Sequence, residues 1–331
     1  MRLQFAIIIV ALIFALVALA VRRPAAERPT PAPTPTASTP TVTAEPTSSP
    51  EPTSQPRPEP MDLPSHRLAL GAYDPDHVLS NLPLDVEHWF IAQSSPEDLE
   101  SALASARNRT AFVTLEPWPT TPNDSEDLLQ DIAAGTRDDE LHMLARVARE
   151  HGPKVVLLRW GHEMELSNLY PWAGREPDVY RLAFRHVVSV FRAAGANNVR
   201  FVWSPAGNAN APGYYPGGDV VDYVGLSVLG ERSWDATMGL PPQSFDELLA
   251  PRYARVASLG KPIIVAELAV SGDAVYQAEW LANAARRLGA YTQVRALVYF
   301  NARNAPINNG LPVAPDWHLV GPAIDAFLAL R

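Results

Sequence analysis

The sequence predicts an α/β fold, a (β/α)8 TIM barrel, preceded by an apolar N-terminal segment and a disordered proline-rich linker. Three observations predict it. Eight short apolar runs alternate with longer helical patterns between residues 67 and 331, a length suited to one such barrel. Most runs are near-continuously hydrophobic, as parallel strands buried on both faces are. The first run opens into "LALGAYDPDH", which lacks the Gly-x-Gly-x-x-Gly loop usual in the competing open, doubly wound sheet.

The elements follow in order. Residues 5–21, "FAIIIVALIFALVALAV", are 17 consecutive apolar residues. As a helix they span roughly 26 Å, the short end for a membrane crossing. Arg2 precedes the run and Arg22 and Arg23 follow it; Ala18-Leu19-Ala20 also reads as a cleavage site. Residues 1–23 are therefore expected to be a signal-anchor or a cleaved signal peptide, with the membrane as a partner through this segment. Residues 24–66 are expected to be a disordered linker: 13 prolines fall between 24 and 64, with no aromatic residue. Such a chain cannot bury enough apolar surface to offset its entropy. The two segments together imply an extracytoplasmic protein, anchored or secreted.

Residues 67–331 form the expected barrel domain. Strand patterns occupy 68–73, 87–93, 110–116, 154–163, 199–205, 221–227, 262–268 and 294–302. Helices are expected after Ser95, over 138–152, 177–195, 245–260 (where Pro251 should interrupt), 276–289 and near 316–330.

Composition narrows the function. Residues 1–66 carry five arginines and five acids, so the whole net charge of −9 falls on the barrel domain. An acidic domain is a poor partner for nucleic acid. There is no cysteine, which excludes disulfides and thiolate metal sites. His162-Glu163 begins like a zinc-protease motif, but the second histidine position is Leu166. No metal or cofactor is expected. "GLSVLG" at 225–230 has Leu229 where a nucleophile elbow needs glycine. No oligomer signal stands out, and a monomer is expected.

Barrel chemistry sits at the C-terminal ends of strands. Glu163 ends the fourth strand pattern and Glu267 the seventh. Alternation puts Leu157, Arg159, Gly161 and Glu163 on one face, and Ile263, Val265 and Glu267 on another. If both faces point inward, two carboxylates meet across the top of the barrel, as glycosidic cleavage requires. The alternative is that each glutamate is an ion-pair partner, for instance of Arg159. Aromatic residues crowd the same strand ends: Trp118, Tyr170, Trp172, Trp203, Tyr215, Tyr299 and Phe300. They are expected as stacking platforms for flat sugar faces, with core packing as the competing role.

In order and spacing, "LLRWGHEM…YPW", "VRFVWSP", "YYPGGDVVDYVGLS", "GKPIIVAEL" and "ALVYFN…DWHL" resemble the motifs of family 26 glycoside hydrolases across nearly all of 67–331. The resemblance implies a retaining β-mannanase-like enzyme with Glu163 as acid/base and Glu267 as nucleophile. It implies sugar contacts by His162, with Arg159, Trp118, Trp172, Trp203, Tyr215 and Tyr299 completing the expected substrate-binding set. The expected substrate is a β-linked polysaccharide: mannan, glucomannan or β-glucan. The rim departs from the family pattern, with Glu165 and Leu166 at Asn and Gly positions, and with Leu169, Ala206 and Leu229 at others. These departures motivate an alternative, a non-hydrolytic polysaccharide-binding protein of exopolysaccharide synthesis or export.

Overall fold

The computed structural model describes residues 63–64, 66–106, 108–120, 126–152, 154–167, 169–303 and 314–331. The signal or anchor segment and nearly all of the linker lie outside the described residues. Eight parallel strands close into a barrel in sequence order: β1 (Ala69–Tyr73), β2 (Val86–Ala92), β3 (Thr110–Glu116), β4 (Val156–Trp160), β5 (Val199–Trp203), β6 (Tyr223–Glu231), β7 (Ile263–Ser271) and β8 (Val294–Phe300). The helices are α1 (Pro96–Ser105), α2 (Leu128–Ala134), α3 (Asp138–Glu150), α4 (Pro177–Ala193), α5 (Arg232–Thr237), α6 (Phe245–Val256), α7 (Ala274–Arg287) and α8 (Pro322–Leu328).

Side-chain alternation sorts the strands into two cores. One set, including Ala69, Val86, Phe112, Leu157, Val202, Ile264 and Val298, fills the barrel interior. The intervening residues, such as Leu158, Phe201, Val224, Val265 and Leu297, pack against the helices. Leu63, expected in the linker, joins the interior set, so the folded domain begins before residue 67.

The helices depart from one per strand. No helix joins β1 to β2, and only a 3-10 turn at Ala211–Tyr214 precedes β6. The seam between β1 and β2 is short: Gly71 pairs with Val86 and Ala72 with Glu87, and the register goes no further. Pro251 does not stop α6. Proline removes one helical hydrogen bond, but a Ser244–Glu247 capping box fixes the start and Phe245, Leu248, Leu249 and Val256 are buried. The last helix is shorter than expected because the residues before it serve β8: the Leu319 N–H donates to Asn301 Oδ1 at 2.8 Å.

Candidate active site

β4 ends three residues short of Glu163. Gly161 and Glu163 both have left-handed backbones, at φ 53° each. For a glutamate this conformation costs about 1–3 kcal/mol. The turn is held because Glu163 N–H donates to the Ser204 carbonyl at the end of β5, at 2.8 Å. It aims the Glu163 carboxyl into the barrel mouth, where Oε1 accepts a 2.6 Å hydrogen bond from Ser227 Oγ of β6.

Glu267 arrives by a different device. Ile263 and Val265 pack outward, while Ile264 and Ala266 face the interior. The expected shared inward face of Ile263, Val265 and Glu267 is therefore incorrect. The pairing with β6 slips: Leu226 pairs with Val265, but Ser227 pairs with Glu267, leaving Ala266 as an extra residue. This β-bulge turns the next side chain inward. Glu267 Oε1 then accepts a hydrogen bond from Arg159 Nη2 at 2.7 Å. Arg159 is fully buried, bonded through Nε to Thr114 Oγ1 at 2.6 Å and lying over the rings of Phe90 and Phe112.

The two carboxylates thus have unlike surroundings in one electrostatic unit, each about 1% exposed. Burial, then the charge of Glu267, pushes the Glu163 carboxyl up to about 8, against the Ser227 hydrogen bond and the Arg159 charge. Glu267 instead has a guanidinium in direct contact. One carboxyl is biased to carry a proton near neutrality, and the other sits on a fixed cation.

His162 is buried beside them, its Nε2 3.2 Å from the Tyr170 hydroxyl. Burial and Arg159 hold its imidazole well below the ordinary histidine range. Trp172 stacks on Tyr170, with ring centroids 4.6 Å apart, and donates its indole N–H to the His162 carbonyl at 2.8 Å. Trp172 is fully buried, so it supports the histidine from behind. Trp118 meets Trp172 edge-on at 5.1 Å and is partly exposed. Glu165 ties loops together: its Oε1 accepts the Gly207 and Asn208 N–H groups at 2.8 and 3.2 Å.

Three expected platforms lie elsewhere. Trp203 alternates with inward Val202 and packs outside the barrel against Tyr215, at 5.1 Å. Tyr299 alternates with inward Val298 and packs against Phe327 of α8 at 5.4 Å. The expectation that Trp203, Tyr215 and Tyr299 face the cleft is corrected, by strand parity for Trp203 and Tyr299 and by its packing on Trp203 for Tyr215. The neighbouring residues take those places: Ser204 lies 3.5 Å from Arg159 Nη1, and Phe300 packs on Tyr73 at 5.1 Å. Tyr73, Phe90 and Glu116 were not anticipated. The parity of β3 could have found Glu116, which falls on the face of Phe112 and Thr114. A cavity of about 990 Å³ lies beside the site, lined by Tyr73, His88, Phe90, Glu116 and Trp118, and extends to Trp89 and Ala102. Among the described residues no group of acids and histidines could hold a metal ion.

The sequence profile described as "Glycosyl hydrolase family 26" matches residues 128–296, about half of the chain. Over 240 residues, 67% of this chain and 25% of the relative, the sequence is 32% identical to Endoglucanase H of Acetivibrio thermocellus. Over 115 residues, 32% of this chain and 24% of the relative, it is 35% identical to Beta-1,3-xylanase TXYA of a Vibrio species. The chain spans about a quarter of the length of these curated relatives. Among solved structures, the family 26 β-mannanase BoMan26A of Bacteroides ovatus superposes with a TM-score of 0.57 at 16% identity, over 80% of this chain and 88% of that one. The Bacillus subtilis mannanase BCman gives a TM-score of 0.53 at 16% identity, over 78% and 84% of the two chains. At such identities the structural likeness is one of fold. With the profile spanning the end of β4 through β7, and with it both carboxylates, the chain belongs to glycosyl hydrolase family 26.

Proposed function

We propose that this protein is a retaining endo-β-glycanase. The observation that carries the reading is the pair of buried glutamates with opposed environments: Glu163 raised to about 8, and Glu267 hydrogen-bonded to the Arg159 guanidinium. In the first step Glu267 attacks the anomeric carbon and forms a glycosyl-enzyme ester. Glu163 gives its proton to the departing glycosidic oxygen. In the second step Glu163, now ionised, takes a proton from water, which attacks the anomeric carbon and releases Glu267. Arg159 fixes the nucleophile's rotamer, and His162 presents its remaining ring nitrogen to the sugar beside the acid.

The substrate is a β-linked polysaccharide. The relative named an endoglucanase, matched over 67% of this chain, makes β-glucan the first substrate to test; the mannanase structures make mannan and glucomannan the second. The barrel is held outside the cytoplasm by residues 1–23, on the proline-rich linker. Protease accessibility of the barrel in intact cells tests that placement.

Lichenan, mannan, glucomannan and xylan are incubated with the wild type and with Glu267→Ala, and products are read by mass spectrometry. NMR of the first products reads the anomer. Hydrolysis with a β-anomer, lost in the variant, is expected. Undiminished turnover by Glu267→Ala, or an α-anomer, overturns the mechanism. Glycan binding with no product from any substrate would favour the second reading, a non-hydrolytic polysaccharide-binding protein, which the near-complete burial of both glutamates and the altered rim motivate.

A further inference from the structure

A third carboxylate stands at the same barrel mouth. Glu116 ends β3 and is 4% exposed. Its Oε2 accepts the Trp118 indole N–H at 3.0 Å. Its Oε1 is buried and has no hydrogen-bond partner among the described residues. Unlike Glu163 and Glu267, it lines the cavity beside the site, together with Trp118, Tyr73 and Phe90. A buried acceptor without a donor is destabilising, and a ligand hydroxyl arriving through the cavity removes that cost.

The surroundings say which hydroxyl. Glu116 stands two positions beyond Thr114 on the same face of β3, and Arg159 bridges Thr114 Oγ1 and Glu267 Oε1. Glu116 therefore belongs to the nucleophile's side, facing the sugar that Glu267 attacks rather than the leaving group. The bond from Trp118 to Oε2 also fixes the indole, so one carboxylate both orients an apolar ring face and offers a free acceptor beside it. A pyranose matches that pairing, having an apolar C–H face edged by hydroxyl donors. A cation does not, because among the described residues no group of three or more acids and histidines is placed to hold one.

We propose that Glu116 is a substrate-binding residue: Oε1 accepts a hydrogen bond from a hydroxyl of the glycone pyranose attacked by Glu267, and Trp118, held by Oε2, forms the adjoining stacking face. This rests on the glycosidase reading above. Burial pushes the Glu116 carboxyl up to about 7, so it is mostly ionised at about pH 8. Hydrogen bonds to a charged acceptor are worth about 1.5–3 kcal/mol, and at that pH Glu116→Gln is expected to lose roughly 10- to 150-fold in binding.

The test has two arms. In a Glu267→Ala background, a mixed-linkage β-glucan tetrasaccharide and mannotetraose are titrated calorimetrically with and without Glu116→Gln; at least tenfold weaker binding is expected for the sugar that the wild type cleaves. In the active enzyme, Glu116→Gln is expected to lower kcat/KM by the same factor on an aryl β-glycoside as on the unactivated glycan, since both carry the same glycone. Glu163→Ala, by contrast, spares the aryl substrate, which needs no acid. Trp118→Phe keeps a ring but drops the bond to Oε2 and is expected to lose less than Glu116→Gln. Should Glu116→Gln fold poorly, Glu116→Asp, which withdraws the acceptor, is expected to show the same loss on both substrates. Unchanged affinity and kcat/KM in a folded Glu116 variant overturn the inference while leaving the glycosidase reading intact if Glu267→Ala is still inert. A wild type that neither cleaves nor binds these glycans takes both down.

Discussion

Replacing Ser227 by alanine tests the acid/base assignment more sharply than deleting the acid itself. The Ser227 hydroxyl donates to Glu163 Oε1 at 2.6 Å in a buried site, and this bond pulls the Glu163 carboxyl down against burial and the charge of Glu267. A hydrogen bond to a buried charged group contributes about 1.5–3 kcal/mol. One unit of pKa corresponds to about 1.4 kcal/mol, so its loss moves Glu163 up by about one to two units. Two effects of opposite sign follow. Formation of the glycosyl-enzyme needs Glu163 protonated, so the alkaline limb of kcat/KM, expected near 8 in the wild type, shifts upward by about one to two units. Breakdown of the glycosyl-enzyme needs Glu163 ionised. In that ester Glu267 carries no charge, so the Glu163 carboxyl lies lower than in the free enzyme. With an aryl glycoside whose release step is fast, the acidic limb of kcat therefore starts below about 8 and shifts upward by about one to two units in the variant. Both profiles come from initial rates between pH 4 and 10. An alkaline limb that stays in place or moves down refutes the link from Ser227 to Glu163.

Three further outcomes are expected. Because the folded-state pKa of Glu163 is raised from an ordinary 4.5 to about 8, its burial favours the proton-bound form, and the stability it confers is full below about 4.5 and lost as pH rises through 8. Glu163→Gln should accordingly raise the melting temperature relative to wild type at pH 8 but not at pH 4, as read by calorimetry. Gly225→Ala places a methyl 2.4 Å from Ser204 Oγ and 2.6 Å from Ser204 Cβ; overpacking of this kind costs about 1–3 kcal/mol, measurable by denaturant titration. Glu165→Ala strips the acceptor from the Gly207 and Asn208 N–H groups and should cost about 1–3 kcal/mol, read as a lower melting temperature.

Much of this site is legible in the sequence, and what is not fails for a definite reason. Glu163 and Glu267 stand out because apolar strands make an isolated acid conspicuous, but neither ends its strand as expected: β4 stops three residues before Glu163 and β7 runs on to Ser271, four residues past Glu267. The parity of Arg159 reads correctly too, since Leu157 and Arg159 alternate without interruption inside β4. Parity misleads at β7, where the bulge at Ala266 changes which residues face inward and no residue type announces it. The aromatics mislead differently. Trp203 and Tyr299 are flanked by inward residues on both sides, and a large ring suits the helix-packed layer as well as a sugar platform. Glu116 is hidden by its neighbours: "TLEPW" reads as a strand running into a turn, and only the barrel brings its carboxylate beside Arg159. Glu165 shows that an altered family position can acquire a scaffolding task, since its acceptor now organises the loop after β5.

The short seam between β1 and β2 has a consequence for how this barrel can be redesigned. A ring of eight staves comes apart most readily where two staves share the fewest bonds, and two joints here span only two paired positions each: β1–β2, with no helix across it, and β5–β6. The β5–β6 joint holds Glu163 through Ser204 and Ser227, so new chain ends or a grafted module fit better in the 74–85 crossing, a weakly joined part of the hoop away from those contacts. The walls carrying Glu163 and Glu267, on the far staves, would keep their mutual alignment.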